Sequence, residues 1–78
     1  MTTQHKVGQM HYYGKIVADA YKYDMSGQTV SMYDNVDKSE YVVVEWDKDG
    51  QTELKVDKYD NDEMAVISYV ERTWGISV

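Results

Sequence analysis

The most regular alternation of hydrophobic and polar residues lies between residues 41 and 58, YVVVEWDKDGQTELKVDK. Two strand-like runs flank the turn sequence DKDG, in which Gly50 can supply the positive φ that a three-residue hairpin loop needs. With residues 48–50 as that loop, Val44 is predicted to lie opposite Leu54. One face of the hairpin is then apolar, as the two-residue period of a half-buried strand requires. This buried face is predicted to consist of Val42, Val44, Trp46, Leu54 and Val56.

A second hairpin is predicted earlier in the chain. Residues 15–23 and 28–33 both alternate, and the turn sequence DMSG separates them. The segment from residue 10 to residue 24 also fits an amphipathic helix, because its apolar residues recur at helical spacing. Its tyrosines and β-branched residues favour a strand.

The C-terminal segment has two interpretations. The acidic cluster at residues 60–63 is typical of a helix N-terminus, where carboxylates meet the positive end of the helix dipole. The sequence AVISYV that follows is β-branched and aromatic, which favours a strand after a tight acidic turn. For residues 63–72 we prefer the strand interpretation to the helix interpretation. Residues 74–78 are expected to pair with a sheet edge and so to cover Trp74.

These elements predict a mainly β protein, built as a small antiparallel sheet or a partly closed barrel of about five to six strands. The segment VVVEWDKDG, with the short strand and tight turn after it, resembles the central hairpin of SH3-like barrels. That resemblance implies a fold and no particular function. A short C-terminal helix would make the fold α+β instead. Residues 10–78 are expected to form a single small β domain, after a flexible N-terminus at residues 1–9.

The composition favours a sheet over a helix bundle. The 78 residues include 11 Val and eight Tyr, but one Leu and no Phe, and Val and Tyr are enriched in strands. The absence of Cys excludes disulfides and thiolate chemistry. No apolar run reaches membrane-spanning length and no signal-peptide core is visible, so we expect a cytoplasmic protein without membrane contact.

The charge indicates the kind of partner. The net charge is −6, because residues 21–78 carry −7 and residues 1–20 carry +1. Such a chain repels phosphates, so we expect no direct binding to nucleic acid, and a basic protein surface is the natural partner. The other interpretation is that the charge only keeps the protein in solution.

No catalytic or metal-binding signature is present in the sequence. His5 and His11 have no carboxylate nearby in the sequence, and neither a nucleophile elbow nor a phosphate-binding loop occurs. A calcium-loop interpretation of residues 45–56 fails, because Val56 stands where a bidentate ligand is needed. A weak divalent-cation site is a lesser alternative to a solvated acidic turn, and its ligands would be Asp57, Asp60, Asp62 and Glu63. The sequence therefore predicts no enzyme and no cofactor.

The outer face of the central hairpin supplies candidate binding residues. The predicted register sets Glu45 directly opposite Glu53, with Asp57 on the same face, and like charges so placed are unfavourable. Tyrosines alternate with acids nearby, and tyrosine is enriched in protein interfaces; alternatively, several of them fill the core. The predicted partner-binding residues are Glu45, Glu53, Asp57, Tyr59, Asp60, Asp62, Glu63, Tyr21 and Tyr23.

Together these features predict a small, non-enzymatic, acidic binding protein. It would act as an inhibitor that masks a basic surface of a partner, such as a nucleic-acid-binding surface, by imitating nucleic acid. Such a role would suit an inhibitor carried by a phage or mobile element. The alternative function is a small β-barrel interaction or assembly module, including a homodimer, that binds through a strand edge or an apolar patch.

Overall fold

The fold is an antiparallel sheet that carries a helix on one face. A computed structural model describes residues 13–75. The strands pair in chain order, each antiparallel to the next, so that the first and last strands form the two edges. The elements are β1 (Lys15–Tyr21), β2 (Thr29–Asn35), a short 3₁₀ turn (Val36–Lys38), β3 (Glu40–Trp46), β4 (Glu53–Tyr59) and helix α1 (Asp62–Trp74).

The prediction of a mainly β fold with an antiparallel sheet is confirmed. The sheet has four strands and is open, and the C-terminal helix matches the α+β alternative. Over residues 13–75 the strands do not close into a barrel, because β1 and β4 do not pair. The predicted flexible segment at residues 1–9 and the terminal residues 76–78 lie outside the described residues.

The β1–β2 hairpin follows the predicted pairing, and the strand interpretation of this region is confirmed. The backbone N–H of Lys22 donates to the carbonyl of Gln28 at 2.8 Å and so closes the turn. Inside the turn, the Asp24 carboxylate accepts from the backbone N–H of Ser26 at 3.1 Å. Such side-chain acceptors satisfy turn amides that have no strand partner.

The β3–β4 hairpin forms, but its predicted register is wrong. Val44 lies opposite Val56 rather than Leu54. A shift of two positions leaves each side chain on the same face, and Val42, Val44 and Trp46 are buried together with Val56 packed against them. Leu54 is 47% exposed, so its predicted burial is wrong.

The turn explains one position of the shift, because it is wider than the predicted three-residue loop and sets Trp46 opposite Glu53, and an irregularity between Glu45 and Trp46 adds the second position. The backbone N–H of Gly50 donates to the carbonyl of Asp47 at 2.8 Å, as in the expected tight turn. The Asp49 carboxylate then accepts from the backbone N–H groups of Gln51 at 2.8 Å and Thr52 at 3.0 Å. These amides are satisfied inside the loop, so β4 begins only at Glu53.

The strand interpretation of residues 63–72 is wrong, because this segment is helical. The Asn61 side chain caps the helix by accepting from the backbone N–H of Met64 at 2.8 Å, and carboxylates occupy the first turn. At the other end Gly75 adopts a left-handed conformation, and its N–H donates to the carbonyl of Glu71 at 3.1 Å. Caps at both ends and favourable dipole interactions outweigh the strand preference of AVISYV.

The central strands β2 and β3 are buried on both faces, although the sequence predicts one buried face. On the helix face, Val30 and Val43 pack with Ala65 of α1, and all three have 0% exposure. The predicted register places Val43 on the outer, exposed face of the hairpin. In the structure β3 is a central strand, and its sequence is a continuous apolar run, which is typical of strands covered on both faces. The cluster on the opposite face consists of Tyr13, Tyr33, Val42, Val44 and Trp46.

Candidate interaction surface

Charged side chains between α1 and the sheet form an ion-pair network, which we call the sheet–helix network. Glu45, only 9% exposed, lies 3.1 Å from Lys22 Nζ through Oε1 and 3.2 Å from Arg72 Nε through Oε2. Arg72 Nη2 also donates to Asp57 Oδ2 at 2.5 Å, and Lys55 Nζ lies 3.8 Å from that oxygen. The network therefore ties α1 to β3 and β4.

These contacts correct the predicted acidic face of the central hairpin. Glu45 lies opposite Lys55 rather than Glu53, and it is buried rather than exposed. Glu53 lies opposite Trp46 and accepts a hydrogen bond from the Tyr13 hydroxyl, which belongs to the other face. The predicted mutual repulsion of these acids is therefore wrong. Their role in partner binding stays a prediction.

A second set of carboxylates gathers where the β2–β3 turn meets the β4–α1 junction, and we call it the acidic end. Asp34, Glu40 and Asp60 line one depression of about 370 Å³. Asp62 and Glu63 line another, of about 590 Å³, at the start of α1. The acidic end consists of Asp34, Asp37, Glu40, Asp60, Asp62 and Glu63.

The acidic end holds more negative than positive charge. Its lysines are Lys15, which lies opposite Asp34, Lys38 in the 3₁₀ turn, and Lys58, whose Nζ is 3.9 Å from Glu40. Within the described part of the chain, Asp60, Asp62 and Glu63 form no ion pair. The sheet–helix network sets three cations, Lys22, Lys55 and Arg72, against two carboxylates, whereas the acidic end has six carboxylates and three lysines.

The predicted tyrosines divide into exposed and half-buried positions. Tyr21 and Tyr23 are 73% and 56% exposed, as contact with a partner requires. Tyr59 is half-buried and packs against the helix-face core, and its hydroxyl donates to Ser68 Oγ at 2.9 Å. Tyr59 thus contributes to the attachment of α1.

The outward face of α1 was missed by the sequence analysis. Val66 is 45% exposed and Trp74 is 72% exposed, although Trp74 was expected to be covered by strand pairing. The available signal was the spacing of Glu63, Ile67, Val70 and Trp74, which places them along one side of a helix. Arg72 was also missed, because its partners Glu45 and Asp57 become neighbours only in the fold.

Among residues 13–75, clear pKa shifts occur at two tyrosines and one aspartate. Burial raises the pKa of Tyr33 to about 12, and the carboxylates of Asp19 and Glu53 add to the shift. Burial also raises the pKa of Tyr69, and hydrogen bonds from Ser26 lower that of Asp24. These shifts hold each group in its ordinary charge state near pH 7. Among residues 13–75, no three His, Cys, Asp or Glu side chains are placed to hold a metal ion.

Within the same range, no helix has the length and apolarity needed to cross a membrane. Comparisons with protein-family models, with curated proteins and with solved structures found no match to this chain. Its function must therefore be inferred from its own geometry.

Proposed function

We propose that this chain is a non-enzymatic binding protein that masks a basic surface of a partner protein, as a mimic of nucleic acid. The observation that carries the proposal is the unequal placement of charge. Glu45 and Asp57 are neutralised by Arg72 and the neighbouring lysines, whereas the acids of the acidic end outnumber its lysines.

Unpaired surface carboxylates favour association with a cationic surface. They raise the rate of encounter with a basic partner, and the effect decreases as salt screens the charges. Asp60, Asp62 and Glu63 are exposed and belong to the predicted binding residues. The binding surface proposed here is the acidic end, which adds Asp34, Asp37 and Glu40 to these three acids and leaves out the buried Glu45.

The experiment begins with immobilised protein and a cell fraction enriched in basic nucleic-acid-binding proteins. A retained protein is then purified, and its association and dissociation rates are measured at low and high salt. Asp60→Lys should slow association about tenfold at low salt and much less at high salt. Duplex DNA should compete with this chain for the retained protein.

Two variants serve as controls. Glu71→Lys makes the same charge change near the other end of α1 and should leave association nearly unchanged, because it lies away from the acidic end. Lys38→Glu, within the acidic end, should speed association. The proposal is wrong if no basic protein is retained, or if Asp60→Lys and Glu71→Lys act equally.

Self-assembly through β1 is a second candidate function. β1 is an edge strand with two charged residues, Lys15 and Asp19, and its Val17 and Tyr21 are 50% and 73% exposed. A bulge between Ile16 and Ala18 interrupts its ladder and opposes edge pairing. Salt-insensitive dimerisation in sedimentation equilibrium would favour this function over the first.

A further inference from the structure

The outward face of α1 is mainly apolar, with Val66 and Trp74 exposed and Ile67 and Val70 half-buried. In this 13-residue helix, Ala65, Ser68 and Arg72 point toward the sheet. The opposite side carries a stripe with the spacing of successive helical turns. The stripe consists of Glu63, Val66, Ile67, Val70 and Trp74.

A depression lies at the N-terminal end of this stripe. It has a volume of about 590 Å³, and its lining includes the carboxylates of Asp62 and Glu63 beside the aliphatic side chains of Val66 and Ile67. Lysine and arginine suit such a lining, because their methylene stems pack on apolar surface while their charged ends reach carboxylates.

The charges along α1 favour a cationic partner over a second copy of this chain. The charged residues of α1 are Asp62, Glu63, Glu71 and Arg72. Arg72 is turned inward, where it pairs with Glu45 and Asp57. Two such faces placed together would bring acids from both copies and no outward cation to the interface, so the charges would lack complementary partners.

The backbone of α1 favours a helical partner over an extended one. An added strand gains affinity from free backbone groups at a sheet edge, but the interior backbone groups of α1 are bonded within the helix. A helical segment satisfies its own backbone and can lay an apolar side along the stripe, in the way that amphipathic helices occupy grooves.

We propose that the outward face of α1 binds an amphipathic helix rich in lysine or arginine from the partner protein. The apolar side of the partner helix lies on Val66, Ile67, Val70 and Trp74, and the cationic side chains of the partner helix reach Asp62 and Glu63. This inference rests on the proposed function, since it specifies the partner element that the acidic protein recognises.

The experiment uses two synthetic peptides of the same leucine and lysine content, each about five helical turns long. One has its leucines on one helical side, and the other has them scrambled. Trp74 serves as the reporter, because it is 72% exposed while Trp46 is fully buried. The amphipathic peptide should shift Trp74 emission to shorter wavelength, protect it from acrylamide and bind about tenfold more tightly than its isomer. Trp74→Phe should remove the signal.

A matched pair of variants tests the apolar contact. Val66→Ser should weaken binding of the amphipathic peptide several-fold, because Val66 lines the depression. Met64→Ser should not, although Met64 is similarly exposed, at 50% against 45% for Val66. Asp62→Asn with Glu63→Gln should weaken binding of both peptides and flatten its salt dependence.

The outcomes separate this inference from the proposed function. If both peptides bind equally and both depend on Asp62 and Glu63, the inference is overturned and the proposed function stands. If Val66→Ser and Met64→Ser act alike, the helix does not lie on this face, and the inference is again overturned. If neither peptide binds, or if binding ignores both acids, the inference and the proposed function both fail.

Discussion

At the scale of single residues, Glu45 shows why a carboxylate in a strand cannot be assigned to the surface from sequence alone. The alternation of β3 correctly separates Glu45 from Val44 and Trp46, but both faces of this central strand are buried. The cations that neutralise Glu45 come from Lys22, 23 residues earlier in the chain, and from Arg72 in α1. Such pairs are created by the tertiary fold.

Replacing Glu45 by Gln should therefore destabilise the protein strongly. The substitution keeps the shape of the side chain but leaves Lys22 without its close counter-charge and removes one of the two carboxylates that pair with Arg72. Loss of one member of a buried ion pair costs about 3 kcal/mol or more. The measurement is the free energy of unfolding in urea.

Glu71→Gln provides the matched control. It makes the same chemical change on α1, at a half-buried carboxylate for which the described residues provide no ion pair. It should change the free energy of unfolding by no more than about 0.5 kcal/mol. Similar losses in both variants would mean that the sheet–helix network contributes nothing specific.

At the scale of elements, the sequence predicts where hairpins occur better than how their strands align. Both hairpins lie where alternation and turn residues place them, and Gly50 does close a tight turn on Asp47. The alignment fails because the Asp49 side chain holds two further backbone amides inside the loop and because the pairing is irregular between Glu45 and Trp46. The alternation pattern does not contain this local competition for hydrogen bonds.

The shifted register reverses the expected importance of two core candidates. Val44→Ala should cost about 2–3 kcal/mol, because Val44 is fully buried opposite Val56. Leu54→Ala should cost less than about 1 kcal/mol, because Leu54 is 47% exposed. The predicted register requires the larger loss at Leu54. Urea unfolding of the two variants distinguishes the registers.

Helix α1 illustrates a second limit of sequence analysis at this scale. The sequence AVISYV favours a strand, whereas the acidic residues before it favour a helix N-terminus. The interaction that decides is the Asn61 cap together with the left-handed Gly75 at the other end. Weak residue preferences are overridden once both helix ends are satisfied and Ala65 can pack on Val30 and Val43.

At the scale of the whole molecule, composition and charge were more informative than any motif. The excess of Val and Tyr over Leu and Phe correctly indicated a mainly β protein. The net charge of −6 indicated an excess of acidic groups. It did not indicate where this excess lies, because the sheet–helix network removes Glu45 and Asp57 from that excess.

The separation between balanced and unbalanced charge predicts how salt affects the isolated protein. The Glu45–Arg72 pair of the sheet–helix network is shielded from solvent, with side chains only 11% and 15% exposed, so salt screens it weakly. The acidic end is open to solvent, and its repulsion is screened as the Debye length falls from about 30 Å at 0.01 M to about 8 Å at 0.15 M. The free energy of unfolding should rise with sodium chloride, by an amount on the order of 1 kcal/mol.

Urea unfolding over a range of sodium chloride concentrations measures this effect, since urea leaves the ionic strength unchanged. Asp60→Lys should flatten the dependence by relieving repulsion at the acidic end, and Lys38→Glu should steepen it. Potassium chloride should reproduce the result if screening, rather than binding of one particular cation, is responsible. Stability that falls with salt would mean that the ion pairs outweigh the repulsion, and the acidic end would then hold too little unbalanced charge to attract a basic partner.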